Sequence, residues 1–212
     1  SYECKTLAKL GTVAHLRGAL SVAEECFRQA YGIAREQDDP IQRVEVQYGR
    51  GWNYLDMGEV QEAEELLLEA EKQANALGHT ALLWRIRTTL GILYYLTHRV
   101  SEARIVLANG YRLADSIGNL GLRGEMLDWY ALFLARVGDQ KSAQVIFDEA
   151  HVFIGGKVRT QQPIAALHKE VEAELFFMEG RVESAIRAYN TVISFYENMG
   201  AKMGLIRVHW RL

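Results

Sequence analysis

Five alanines recur along this chain at an almost constant interval: Ala23, Ala63, Ala103, Ala143 and Ala185, with steps of 40, 40, 40 and 42 residues. Five residues upstream a second column keeps the step, with Gly18, Gly58, His98, Gly138 and Gly180. Four residues downstream stands a large apolar residue each time: Phe27, Leu67, Leu107, Phe147 and Tyr189. A small residue follows three later in four of the five units, as Ala30, Ala70, Gly110 and Ala150, with Val192 the exception. Columns held in register at such a step are the signature of a repeat architecture, in which each unit buries its apolar face only by stacking on its neighbours.

Within a unit, apolar residues recur at helical spacing. Leu83, Ile86, Leu90 and Tyr94 form one stripe, and after the turn Val100, Ala103, Leu107 and Leu113 begin another. No strand pattern interrupts them. Only two prolines occur, Pro40 and Pro163, each just ahead of a leading helix, where the missing N–H is harmless. Gly78, Gly118 and Gly200 stand where second helices should end in a left-handed residue. Halfway along each leading helix lies Gly11, Gly51, Gly91, Ala131 or Ala173, a slim spot expected to face the recurring alanine so that the two backbones approach.

The order large-Gly-x-x-aromatic (Leu90-Gly91-Ile92-Leu93-Tyr94), a turn, then Ala-x-x-x-large-x-x-small resembles the tetratricopeptide repeat over about the whole chain. That resemblance implies an all-α, right-handed α-solenoid: five helix hairpins at about 4–40, 41–80, 81–120, 121–160 and 161–202, and a partial sixth helix at 203–212. Two departures stand out. Leu7, Gln47, Arg87, Leu127 and Lys169 replace the family's usual tryptophan, and Arg50 and Glu172 occupy places meant for a large apolar residue. The unit is also about six residues longer than the common 34. In this it is similar to the long repeats of MalT-type regulators and STAND signalling ATPases, of peptide-sensing regulators of the Rap kind, and of Pins-type adaptors.

Composition excludes several function classes. No apolar run approaches the roughly 18–20 residues of a membrane span, and the first residues do not read as a secretion signal. A net charge of -3 supplies no basic field for nucleic acid. Two cysteines, Cys4 and Cys26, on different helices of the first hairpin, read as free thiols of a reducing, cytoplasmic compartment. Six histidines show no zinc spacing and read as surface or turn residues, so no metal and no cofactor is expected. Gly155-Gly156-Lys157 fails the phosphate-loop spacing, with His151 and Val158 where Gly and Ser or Thr are required. The carboxylates crowding residues 59–71 read as a solvated face. No catalytic constellation emerges, and the chain is expected not to be an enzyme.

The informative stripe is the side of each leading helix turned away from its own partner. It carries Lys5, Ala8, Thr12 and His15, then Glu45, Tyr48, Trp52 and Leu55. Arg85, Thr88, Ile92 and Tyr95 follow, then Glu125, Asp128, Leu132 and Ala135, then Leu167, Glu170, Glu174 and Phe177. In a solenoid these stripes line the concave side. Tyr48, Trp52, Arg85, Thr88, Tyr95, Glu125, Asp128, Glu170 and Glu174 are therefore the candidate binding residues, although Trp52, Ile92 and Leu132 taken singly suit inter-repeat packing better. The resemblance implies a protein or peptide partner there, with a small effector as an alternative occupant. The carboxylate clamp of chaperone-binding members is not matched. Two breaks complete the pattern: residues 154–163 carry the two extra residues of the 42-residue step, predicting an early stop of the preceding helix. At the end residues 203–212 read either as a capping helix or as a cut repeat. Leu205, Ile206, Val208 and Trp210 are too apolar for a solvated cap alone, which favours the cut repeat, and a structural scaffold that self-associates through 203–212 is the alternative function.

Overall fold

Eleven helices follow one another in a computed structural model of the chain, which describes residues 2–113, 116, 120–154 and 163–209. In order they are α1 Tyr2–Leu16, α2 Leu20–Glu36, α3 Pro40–Met57, α4 Val60–Ala76, α5 Thr80–Leu96, α6 Val100–Tyr111, α7 Leu120–Arg136, α8 Gln140–Ile154, α9 Pro163–Met178, α10 Val182–Met199 and α11 Lys202–His209. No strand occurs among the described residues. The chain divides into two compact units, Ser1–Val106 with Gly200–Gly204 and Leu107–Met199 with Leu205–Leu212.

In the first unit α1 pairs with α2 and α3 with α4, while α2 packs on α3 and α4 on α5. The leading helices α1, α3 and α5 also touch in succession, so they form one layer and the second helices another. The second unit repeats the scheme, with α7 on α8, α9 on α10 and α7 against α9. The second helices show why. In α2 the buried residues are Ala23, Phe27, Ala30 and Ala34, and in α4 they are Ala63, Leu67, Ala70 and Ala74. One large side chain on a stripe of alanines lets the helix lie close to both neighbours.

The slim spots of the leading helices do something other than expected. A Cβ on Gly11 would lie 2.8 Å from the Phe27 ring, and one on Gly49 would lie 2.7 Å from it. One on Gly51 would lie 2.8 Å from Leu67, with the Ala63 carbonyl behind it at 3.5 Å. The glycines thus receive the large residue of the second helix rather than its alanine. Phe27 is held between α1 and α3, joining the first hairpin to the second.

The turns obey the column of glycines. Gly58 closes α3 with φ 84°, its N–H donating to Leu55 O at 3.1 Å while Glu59 N–H donates to Tyr54 O at 3.0 Å. Gly18, Gly138 and Gly180 share the left-handed conformation, and His98 adopts it at φ 61° where the column lacks glycine. Gly78 and Gly200 end second helices the same way, and Gly118 lies outside the described residues. Pro40 opens α3 behind Asp39, whose carboxylate accepts the Gln42 N–H at 3.0 Å. The α8 helix stops at Ile154, and residues 155–162, where the repeat is interrupted, lie outside the described residues. In α11 Val208 is fully buried and Leu205 half-buried, while the side chain of Ile206 and all of Trp210 lie outside what the structure describes. Neither cysteine is in a disulfide; Cys4 is buried, donates to Ala30 O at 3.3 Å, and is pushed up in pKa by that burial.

Polar replacements within the repeat are absorbed by pairing. Arg50 reaches back to Glu24 on α2, Nη2 to Oε1 at 2.7 Å, and Arg87 meets Glu71 on α4, Nε to Oε1 at 2.7 Å. Gln47 Nε2 donates to Leu66 O at 3.2 Å. These contacts tie each leading helix to the second helix beside it, which is the work done elsewhere by apolar side chains.

Candidate functional site

The candidate residues fall into two groups, one in each unit. In the first unit Tyr48 and Trp52 lie one turn apart on α3, their rings 6.3 Å between centroids and 19° from parallel. Arg85 on α5 is exposed and places its guanidinium 4.8 Å from the Tyr48 ring centroid, a cation–π contact at the surface. Thr89, one residue beyond Thr88, has its hydroxyl 3.4 Å from the Tyr48 hydroxyl. Trp52 and Tyr95 are half-buried, whereas Tyr48 and Thr88 are each only 8% exposed. Trp52, Tyr95 and Arg85 therefore present accessible surface, while Tyr48 and Thr88 do not.

Beneath Trp52 lies His15, which sequence reasoning placed at a surface or turn and the structure encloses completely. Its ring centroid is 4.0 Å from that of Trp52. Asn53 Nδ2 donates to Leu20 O at 3.0 Å, which fixes the amide so that Oδ1 faces His15 Nδ1 at 3.1 Å. His15 Nε2 lies 3.0 Å from Asp56 Oδ2, close enough for a charge contact although not aligned as a hydrogen bond. A buried imidazole held by α1 and α3 thus supports the indole from below. The signal that could have found it is its place at the end of the α1 stripe, one position before the turn.

In the second unit the expected acidic surface is enclosed. Glu125 is half-buried, but Asp128, Glu170 and Glu174 have no exposure at all. Their stripe faces the neighbouring leading helix, and cations on that helix draw them in. Arg136 at the end of α7 donates from Nη2 to Glu170 Oε1 at 2.8 Å and from Nε to Glu174 Oε1 at 2.9 Å. Asp128 receives His168 Nδ1, at 2.8 Å to Oδ1 and 3.1 Å to Oδ2. Burial raises the Asp128 acid to about 6, the His168 hydrogen bond only partly offsetting it. The partners Arg136 and His168 were not singled out from the sequence, because pairing across helices 34–40 residues apart has no local pattern.

Beyond His168 the chain of contacts continues to His151 on α8, Nε2 to Nδ1 at 3.1 Å. Phe147 stacks on His168 at 4.4 Å. These rings, with Ile154, Ala165, Lys169 and Glu172, line a cavity of ≈ 290 Å³. Among the described residues no group of three or more His, Cys, Asp or Glu is arranged to hold a metal ion, and no helix is long and apolar enough to cross a membrane.

No protein-family model matches the chain, and no curated protein matches it in sequence. Solved structures do. The chain is similar to a putative kinesin light chain with nearly identical TPR-like repeats from Podosopora anserina, at 18% identity and a TM-score of 0.63, over 90% of this chain and 93% of that one. It is similar to a Rap protein complexed with Competence and Sporulation Factor, at 12% identity and a TM-score of 0.78, over 100% of this chain and 63% of that one. A third is the Rap conjugation gene regulator of the plasmid pLS20 in complex with the Phr* peptide, at 14% identity and a TM-score of 0.78, over 99% of this chain and 62% of that one. The chain thus has the fold of a tetratricopeptide-type α-helical repeat array, and it spans a little under two thirds of the two Rap chains.

Proposed function

We propose that the chain is a non-catalytic interaction array that holds an extended peptide or a partner segment against the leading helices of its first unit. The observation that carries this reading is that Trp52, one turn along α3, and Arg85, from α5, both contact the Tyr48 ring. A half-buried indole and an exposed guanidinium on a rigid two-helix base suit a ligand with an apolar side chain next to a carboxylate or carbonyl. Thr88 and Tyr95 border the same stripe, and Glu125 offers a half-buried carboxylate in the second unit. Asp128, Glu170 and Glu174 act in this reading as internal ties that set the spacing of α7 and α9. Peptides are named as ligands in one Rap structure of the same fold, which supports the class of ligand.

We further propose a regulatory setting, in which the array is one part of a larger signalling or transcriptional regulator. Occupation of the stripe would bias small adjustments at successive helix interfaces, as differential binding to two arrangements requires. Selection of a displayed random-peptide library on the purified chain, followed by titration of a recovered peptide, tests the site. Trp52→Ala and Arg85→Ala are each expected to weaken binding by about tenfold or more, on the order of what a truncated anchor residue costs. Unchanged affinity in both variants would remove the stripe as the place of recognition.

A further inference from the structure

Asp128 on α7, His168 on α9 and His151 on α8 make one continuous hydrogen-bonded chain from a fully buried carboxylate to an exposed imidazole. The proton positions along it are dictated. With both rings uncharged and the carboxylate ionised, His168 Nδ1 must carry the hydrogen that faces Asp128, so its Nε2 is bare. His151 Nδ1, 3.1 Å from that bare nitrogen, must then carry the second hydrogen. Its own Nε2, turned away from His168, is left as an acceptor. The two rings lie 5.3 Å between centroids, close to the largest value that a 3.1 Å nitrogen separation permits, so the two nitrogens point toward each other.

We propose that these three residues form a proton relay: a proton added to His151 Nε2 drives the Nδ1 proton onto His168 Nε2, leaving His151 neutral and presenting an N–H outward. One N–H bond forms at the exposed nitrogen, one breaks at His151 Nδ1, and one forms at His168 Nε2. The positive charge settles on His168 rather than on the ring that met the proton. Charge placement decides this. On His168 the charge lies within 2.8 Å of a carboxylate that has no exposure, whereas on His151 it would lie a full ring further away and leave that carboxylate without an adjacent cation. The other charged groups lining the cavity, Lys169 and Glu172 on α9, are paired with each other, and α8 contributes the uncharged Phe147 ring. Burial raises the Asp128 acid, and the adjacent His168 and His151 pull it back only in part. The outcome is a cavity wall whose exposed nitrogen accepts hydrogen bonds in base and donates them in mild acid, suited in the second state to a carbonyl or carboxylate.

Multiple-bond proton–nitrogen correlation spectra of the full chain carrying ¹⁵N-histidine, recorded from about pH 8 to about pH 6.5, above the range in which Asp128 itself takes up a proton, test this directly. In base both His168 and His151 are expected to be protonated on Nδ1 alone. On acidification the His151 Nδ1 signal should move to the unprotonated position while its Nε2 becomes protonated, and His168 should become protonated on both nitrogens. Double protonation of His151 with His168 still neutral, or His168 protonated on Nε2 in base, would overturn the relay. In Asp128→Asn the His151 Nδ1 proton is expected to persist in acid; a reversal that survives this substitution would also overturn it. Should that variant fail to fold, the wild-type spectra alone decide.

Discussion

The guanidinium of Arg85 lies 4.8 Å from the centroid of the Tyr48 ring, so that α5 covers an aromatic face of α3 with a cation that remains exposed. A contact of this kind at an exposed site contributes only about 0.5–1 kcal/mol. Arg85→Ala is accordingly expected to lower unfolding stability by less than about 1 kcal/mol while weakening partner binding. Trp52→Ala, which strips a half-buried ring from above His15, should cost more, roughly 2–3 kcal/mol. Urea unfolding of both variants checks the ordering, and equal losses would mean that Arg85 is structural.

Phe27 between Gly11 and Gly49 supplies a test of the repeat packing. Replacing a helical glycine by alanine ordinarily stabilises by about 0.5–1 kcal/mol. At Gly49 the new methyl would meet the Phe27 ring at 2.7 Å, and overpacking of this kind costs about 1–3 kcal/mol. Gly49→Ala should therefore destabilise, whereas Gly32→Ala, with nothing within 4 Å, should stabilise. Thermal unfolding of the pair measures the difference, and Phe27→Leu should relieve the penalty at Gly49.

Arg136 sits against two carboxylates with no exposure. Removing the cation of a buried ion pair costs about 3–5 kcal/mol, because the charges left behind cannot be hydrated. Arg136→Met is expected to lose stability in that range by urea unfolding, and Arg136→Lys, which keeps a cation, to lose less. Equal losses in the two variants would show that the deficit comes from packing instead.

Asp128 predicts the shape of the stability curve. Its acid is raised from the ordinary 3.8 to about 6, so the folded chain takes up a proton more readily than the unfolded one. The stability linked to that uptake is fully present below about 3.8 and is lost as pH rises through about 6. Two units correspond to roughly 3 kcal/mol. Wild-type protein should therefore gain stability relative to Asp128→Asn as pH falls from about 6 to about 4, measured by urea unfolding at each pH. Parallel curves for the two proteins would contradict the buried-charge account.

Much of the architecture is written locally. Ala63 and Leu67 stand four residues apart on one helix, and Gly58 ends the helix before them because its left-handed conformation suits a residue without a Cβ. Such relations depend on neighbours within one or two turns, so the periodicity of the chain states them outright. His98 illustrates the limit: it occupies the same left-handed turn without the residue type that announces it.

What the chain's order of residues determined by itself is the helix hairpin, its length, its turns and the stripe that each leading helix turns away from its partner. Only the tertiary structure decided which residues of that stripe meet solvent and which meet one another. Trp52 and Arg85 keep accessible surface, while Asp128, Glu170 and Glu174 are closed off, because Arg136 and His168 on the adjoining leading helices reach them, a pairing of charges that the columns of small and apolar residues do not state. The physical reason is range. Helical periodicity is set by hydrogen bonds four residues apart, whereas burial of a charge depends on whether an opposite charge some forty residues away is brought within about 3 Å.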